Sequence, residues 1–122
     1  MLSHDEFISA LERCFYRAFR DTGGSERVAN FLLAWENAPQ FGGFDIRDMW
    51  GLDVNYSRDV IDVFEYMSDK PYYFNNYGFT PHLRKVILQW RRKLYSDDVL
   101  EEFRQVAEKV PIQPIYQLSI YW

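Results

Sequence analysis

The side chains that most often carry acid-base or metal chemistry in proteins are few in this sequence. His4 and His82 are its two histidines, and Cys14 is its single cysteine. None of the three has the spacing of a metal-ligand motif or of a nucleophile with its base. We therefore expect no metal, no cofactor and no catalytic residue, and the sequence predicts that the protein is not an enzyme.

Phosphate-binding chemistry also lacks its usual signature. The pairs Gly23-Gly24 and Gly42-Gly43 come without the further glycines, the lysine and the preceding strand that a phosphate-binding loop requires. Asp45 and Asp48 stand close together, but helix capping and the positive end of a helix explain both. The carboxylates of this segment are therefore expected to be structural.

Charge is distributed unevenly along the chain. The whole chain has a formal net charge of −4, yet every charged residue in the segment 80–95 is basic. In a helix Arg84 lies over Arg91 and Lys85 over Arg92, which predicts a basic patch of these four residues. That patch allows two interpretations: a small regulator that binds nucleic acid, or a solvated helix paired with the acidic helices around it. The net negative charge of the chain opposes the first.

A second kind of surface is predicted from acidic and aromatic residues. A helix at 54–68 is expected to turn one set of side chains inward: Val60, Ile61, Val63, Phe64 and Met67. Its outer side and its end would then form an acidic face: Asp59, Asp62, Glu65 and Asp69. The link that follows is an aromatic loop with three tyrosines: Tyr72, Tyr73 and Tyr77. Both surfaces can engage another protein, although an acidic face also serves ordinary solubility.

The aromatic content allows two interpretations. Phe, Trp and Tyr make up 19% of the residues. Aromatic side chains bring much contact energy at a low cost in entropy, so part of this content could serve recognition. A small core that simply uses large residues is the alternative, and the composition leaves both open.

The spacing of apolar residues predicts an all-α fold, a compact bundle of about five helices. The segment 26–37 is apolar on nearly every side, so we expect it at the centre. Ser25 is expected to cap it, and Pro39 should end it. The other expected helices run from Ser3 to Asp21, over one turn at 46–50, and at 54–68, 81–95 and 97–109.

The chain is expected to form a single domain over residues 1–122. Its tail, residues 111–122, should be extended, and it either packs back on the helices or serves as a binding arm. The lone cysteine falls on the apolar side of the first helix, so we expect a buried thiol and a cytoplasmic location. No segment is apolar enough to predict a membrane span.

The central segment resembles an uncharacterised bacterial domain family of unknown function, found on proteobacterial chromosomes, plasmids and mobile elements. The resemblance rests on Arg27-Val28-Ala29, Phe31-Leu32-Leu33-Ala34-Trp35, Asn37-Ala38, Gly43-Phe44-Asp45, Asp48 with Trp50, and Leu52-Asp53. A weaker similarity continues through Asp59 and Val63 to Trp90-Arg91. It implies a fold and a setting, and it carries over no activity, ligand or catalytic residue.

Together these features predict a non-enzymatic protein-binding module. The resemblance and the acidity favour an accessory protein of a bacterium or mobile element that inhibits or modulates a defence or nucleic-acid-processing complex. An immunity protein or antitoxin that neutralises a toxin is the first alternative, and the nucleic-acid regulator is the second. The expected partner is another protein, with no membrane contact, and a homodimer remains open.

Overall fold

The computed structural model of the protein describes residues 2–111, and within that range it is all-α, as predicted. Five α-helices follow one another: α1 (His4–Ala18), α2 (Gly23–Phe41), α3 (Val54–Met67), α4 (Thr80–Trp90) and α5 (Asp97–Ala107). Three short 3-10 helices lie between them: Ile46–Gly51, Phe74–Tyr77 and Arg92–Leu94. The predicted tail lies outside the described residues, apart from Pro111. Every helix of the described range is too short or too polar to cross a bilayer.

Helix α1 begins at a capping box. The Ser3 hydroxyl accepts a hydrogen bond from the Glu6 backbone N–H at 3.1 Å, and the Glu6 carboxylate accepts one from the Ser3 N–H at 2.9 Å. One side of α1 is completely buried and packs against α2, α3 and α4, with Phe7, Leu11, Cys14 and Phe15 among its core residues. The predicted burial of the Cys14 thiol is thus confirmed, and burial raises its pKa to about 12.

Helix α2 occupies the central position predicted for it, but its ends differ from the expected ones. The cap is Thr22, whose hydroxyl accepts a hydrogen bond from the Ser25 N–H at 3.0 Å, so the helix begins before Ser25. The backbone leaves helical geometry at Asn37 (φ −167°, ψ 87°), because Pro39 has no N–H to offer. A last turn then continues to Phe41. Phe31 and Leu32 are buried as expected, and Trp35 is half-buried.

The turn after α2 is held at three points. The Asp45 carboxylate caps the 3-10 helix Ile46–Gly51 by accepting a hydrogen bond from the Arg47 N–H at 2.9 Å. The Arg27 guanidinium donates to the Gly51 carbonyl at 3.2 Å, and a Cβ at Gly51 would overlap that guanidinium. Asp53 caps α3, as predicted, and accepts from two backbone N–H groups. The 46–51 turn therefore sits firmly beside α2 and α3.

Helix α4 is shorter than the predicted span of 81–95. It ends at Trp90 because Arg91 leaves helical geometry (φ −135°, ψ 25°). The Arg91 side chain donates to the Phe41 carbonyl at 2.9 Å and to the Asn30 side-chain oxygen at 2.7 Å, so contacts with α2 hold the chain in this bend. Helix α5 follows and packs mainly against α4.

Candidate functional site

Helix α3 carries apolar residues on more of its circumference than its packing uses. Val63 and Tyr66 are buried on the side that faces α1, and Val60 is buried towards α2. Ile61 and Phe64 were expected to face inward as well, but they are 54% and 59% exposed. This correction has a physical cause, because a buried ion pair between α1 and α3, described below, fixes which side of α3 meets the core.

The exposed apolar side of α3 forms one wall of a groove, and α2 and the 46–51 turn form the other walls. The groove has a volume of about 480 Å³. All ten residues that line it are apolar: Phe31, Ala34, Trp35, Phe44, Ile46, Met49, Val60, Ile61, Phe64 and Met67. We call this hollow the α3 groove. It can bury apolar side chains from outside, and its lining offers no acid, base or metal ligand.

The groove continues past the end of α3. A second hollow of about 470 Å³ adjoins it, and Trp35 and Met67 line both. The second hollow ends at Tyr72 and Tyr73 of the aromatic loop. The Trp35 indole N–H donates to the Tyr72 carbonyl at 3.3 Å, which ties the loop to α2. A channel thus runs along α3 from the 46–51 turn to the aromatic loop.

Exposed apolar side chains concentrate around this channel. Eight large apolar or aromatic residues of the described range are exposed, and seven of them lie between residues 46 and 73: Ile46, Trp50, Val54, Ile61, Phe64, Tyr72 and Tyr73. Leu94, beyond α4, is the eighth. Five of the seven line one of the two hollows, Ile46, Ile61 and Phe64 the groove and Tyr72 and Tyr73 the second hollow. A protein surface more usually shows single, scattered apolar residues.

The predicted acidic face is divided by the structure, and the expectation for Asp59 was wrong. Asp59 is 6% exposed, and its carboxylate pairs with the guanidinium groups of Arg13 at 2.9 Å and Arg17 at 2.5 Å. It therefore holds α3 to α1 and presents no charge to a partner. Asp62 is half-buried, and Glu65 and Asp69 are exposed. Those three remain candidates for partner contact on the rim of the channel.

The three tyrosines of the aromatic loop do not act as one surface. Tyr72 and Tyr73 are exposed and line the second hollow. Tyr77 is half-buried, and its ring lies edge-on against Phe7 at 5.1 Å between centroids. Burial raises the pKa of Tyr77. Tyr77 is thus mainly a packing residue, while Tyr72 and Tyr73 remain candidates for contact.

The predicted basic patch does not form a continuous exposed face, because α5 and α2 cover or engage most of it. The Lys85 ammonium donates to the Val110 carbonyl at 2.8 Å, and the Arg84 guanidinium lies over the Phe103 ring at 4.5 Å. Arg91 is engaged by α2, as described above. Arg92 lies beyond the end of α4 and is exposed. This corrects the prediction that four cations share one helix face.

The histidines and the cysteine stay apart from the groove. His82 lies among aromatic rings, with Phe79 at 4.8 Å, and burial lowers the pKa of His82 to about 4. His4 makes a hydrogen bond of 3.1 Å with the Tyr66 hydroxyl. No group of three or more histidine, cysteine, aspartate or glutamate side chains between residues 2 and 111 could hold a metal ion.

Comparison with known proteins places most of this fold in one family. A family model described as "Family of unknown function (DUF7673)" matches residues 8–91, which include the α3 groove. The match confirms that the chain belongs to an uncharacterised family, and it reaches beyond the central segment through most of α1. Neither the curated proteins nor the solved structures include a significant match.

Proposed function

Because the chain belongs to a family of unknown function, DUF7673, its activity must be inferred from its surface, and we propose that it is a non-enzymatic protein-binding module. The α3 groove is its docking surface. One observation carries the proposal: an open groove lined only by apolar side chains, three of which, Ile46, Ile61 and Phe64, are among the eight large exposed apolar residues of the described range.

The chemistry of the groove supports a protein partner over a polar small molecule. Specific small-molecule sites combine apolar walls with a few converging polar groups. The α3 groove lacks such groups in its lining and continues as an elongated channel, which is the shape that takes an apolar helix face or strand. Phe64 and Trp35, which both line the groove, are large aromatic side chains of the kind that dominate binding energy.

The proposed setting is the cytoplasm of a bacterium, where the module inhibits or modulates a defence or nucleic-acid-processing complex by direct binding. The support is the resemblance to a bacterial domain family, the net charge of −4, and the exposed carboxylates of Glu65 and Asp69 on the rim. An acidic surface of this kind attracts a basic surface on a partner. An immunity protein or antitoxin would use the same groove.

The nucleic-acid alternative keeps only a small exposed surface. Arg92 and Lys93 are exposed, whereas Arg84, Lys85 and Arg91 are engaged as described above. Its test is therefore the double change Arg92→Glu with Lys93→Glu. If the full chain binds DNA or RNA at low salt and this change abolishes the binding, the alternative function replaces our proposal.

The proposal is tested by capture from a bacterial lysate on the immobilised full chain, followed by affinity measurement with the purified captured protein. We compare the unmodified chain with Phe64→Glu in the groove and with Leu94→Glu. Each variant replaces an exposed apolar side chain with a carboxylate, so Leu94→Glu is the matched control.

The expected result is a protein that binds the unmodified chain and Leu94→Glu but does not bind Phe64→Glu. One buried aromatic side chain and one misplaced charge correspond to about a hundredfold loss in affinity or more. Equal binding by all three chains would refute the groove as the docking surface. Turnover of a small molecule by the purified chain would refute the non-enzymatic proposal.

A further inference from the structure

The outer side of α3 has the sequence period of a helix that pairs with another helix. Val54, Ile61 and Ser68 repeat every seven residues, and Ser57 and Phe64 fall between them at the second position of the repeat. We call these five residues the α3 seam. The two central ones, Ile61 and Phe64, are more than half exposed and also form the edge of the α3 groove.

Two opposite charges lie along one edge of this seam. Arg58 and Glu65 each follow a seam residue directly and are themselves seven residues apart, so they share an edge of the helix. Both are exposed. Neither forms an ion pair with another residue of the described range. The edge thus has a positive charge near the start of the seam and a negative charge near its end. Two such edges that run in opposite directions place each positive charge beside a negative one.

We infer that the α3 seam pairs antiparallel with the α3 seam of a second copy of this chain. This inference rests on the proposed function, because it names a partner for the same surface. With Ile61 level with Phe64 of the second copy, the two-fold axis also sets Phe64 level with Ile61, and Ser57 level with Ser68. Arg58 then flanks Glu65 of the second copy on both sides of the axis.

The ends of the helix fit the same arrangement. The 46–51 turn stands at the start of α3, and Tyr72 and Tyr73 stand just past its end. An antiparallel pair brings the turn of one copy beside the tyrosines of the other. The exposed apolar side chains at both ends, Ile46 and Trp50 against Tyr72 and Tyr73, are thereby covered. A parallel pair would instead set Arg58 level with Arg58 and leave the charges unmatched.

Self-pairing and the binding of another protein exclude each other on this surface, because both bury Ile61 and Phe64. In the dimer, the apolar surface would be buried between the two copies until another partner competes for it. The balance between the two states then depends on the concentration of the chain and of its partner. Self-association is therefore a regulatory state of the docking surface as well as an interaction.

The test is the oligomeric state of the full chain, measured by sedimentation from about 1 µM to about 500 µM and by native mass spectrometry. We expect a concentration-dependent dimer. Arg58→Glu alone and Glu65→Arg alone should each weaken it about tenfold, because two symmetric attractions become repulsions. Arg92→Glu and Glu102→Arg, which reverse exposed charges elsewhere, are the matched controls and should leave the dimer unchanged.

The decisive sample is an equimolar mixture of the two single variants. In an antiparallel pair, the glutamate introduced at position 58 of one chain would face the arginine introduced at position 65 of the other. Across the axis, the unchanged Arg58 and Glu65 would face each other. The mixture should therefore regain the unmodified affinity as a heterodimer, whereas each variant alone should keep its affinity weakened by about tenfold. The double variant Arg58→Glu with Glu65→Arg should regain it as a homodimer.

Three results would overturn the inference. They are a monomer at every concentration, a dimer that the single variants do not weaken, and a mixture that does not recover. A monomer whose captured protein is still lost in Phe64→Glu but kept in Leu94→Glu would refute self-pairing and leave the proposed function intact. Binding of the monomer to anionic lipid vesicles through Phe64 would assign the seam to a membrane surface and also refute self-pairing.

Discussion

Replacing Asp59 with asparagine should destabilise the fold more than any other change of a single charge on α3. The Asp59 carboxylate accepts hydrogen bonds from Arg13 at 2.9 and 3.0 Å and from Arg17 at 2.5 Å. Arg17 is 1% exposed, so its charge has almost no access to water. Asparagine keeps the shape of the side chain but removes the negative charge that the two guanidinium groups share.

The size of the effect follows from this geometry. Removing one member of a buried ion pair costs about 3–5 kcal/mol, and the Arg17 charge stays buried after the change. The Arg13 side chain is 18% exposed and keeps part of its hydration, which favours the lower half of that range. A loss of about 3–4 kcal/mol corresponds to a fall in the melting temperature of about 10–15 °C for a domain of this size.

The assay is equilibrium unfolding in guanidinium chloride, followed by circular dichroism and tryptophan fluorescence. Asp62→Asn is the matched control, because it makes the same chemical change on the same helix at a half-buried residue without an ion pair to another described residue. It should change the free energy of unfolding by less than about 0.5 kcal/mol. If Asp59→Asn costs no more than Asp62→Asn, the argument that the buried pair sets the orientation of α3 is wrong.

Two further predictions concern α4. Arg91→Ala should lower the free energy of unfolding by about 1–2 kcal/mol, because it removes the hydrogen bonds to Phe41 and Asn30. The control Arg92→Ala should change it by less than about 0.5 kcal/mol. Equal effects of the two changes in thermal melts would contradict the role of Arg91 in holding the end of α4. Burial lowers the pKa of His82 to about 4, below the usual 6.5 of the unfolded chain. As the pH falls from 6.5 to 4 the unfolded chain binds this proton first, so stability is lost in that window. His82→Phe should flatten this part of the melting temperature profile, and an unchanged slope would count against it.

Features decided by neighbouring residues were predictable from the sequence. The capping box of Ser3 and Glu6 and the cap at Asp53 depend on residues two or three positions apart, and both occur as expected. The start of α2 was harder to predict, because Thr22 and Ser25 are both good caps. Thr22 is the cap in the structure, and its hydroxyl accepts a hydrogen bond from the Ser25 N–H. The end of α4 depends on bonds from Arg91 to residues of another helix, which no local pattern contains.

The candidate site was predicted only in part, for a related reason. Asp59 lies at the edge between the polar and apolar sides of α3, and its burial depends on two arginines of α1. Ile61 and Phe64 were expected in the core because apolar residues usually are. The signal that could have placed them outside is the width of the apolar arc on α3, which exceeds what one packing face can cover. The surplus of aromatic residues pointed the same way without locating the surface.

The fate of the basic segment shows the limit of charge patterns. Arg84 and Lys85 lie on a helix as predicted, whereas Arg91 lies beyond its end. The spacing of residues also does not tell which neighbours will lie on that helix. Helix α5 covers Arg84 with Phe103 and provides the carbonyl of Val110 to Lys85 through the segment that follows it. The positive charges of Arg84 and Lys85 therefore belong to the packing between α4 and the segment of α5 and Val110.

The firm attachment of α3 to α1 has a consequence for the range of partners that the proposed docking surface would accept. The ion pair of Asp59 lies on the inner side of α3, and α3 packs less extensively against α2 than against α1. Because the ion pair and the slot lie on different sides of α3, a change in the width of the slot between α2 and α3 would leave the ion pair intact. Met49 and Met67, whose unbranched thioethers adapt to irregular shapes, stand on its walls. If the proposed partner docks in this slot, such walls would accept partner side chains of somewhat different size without a change in the rest of the domain.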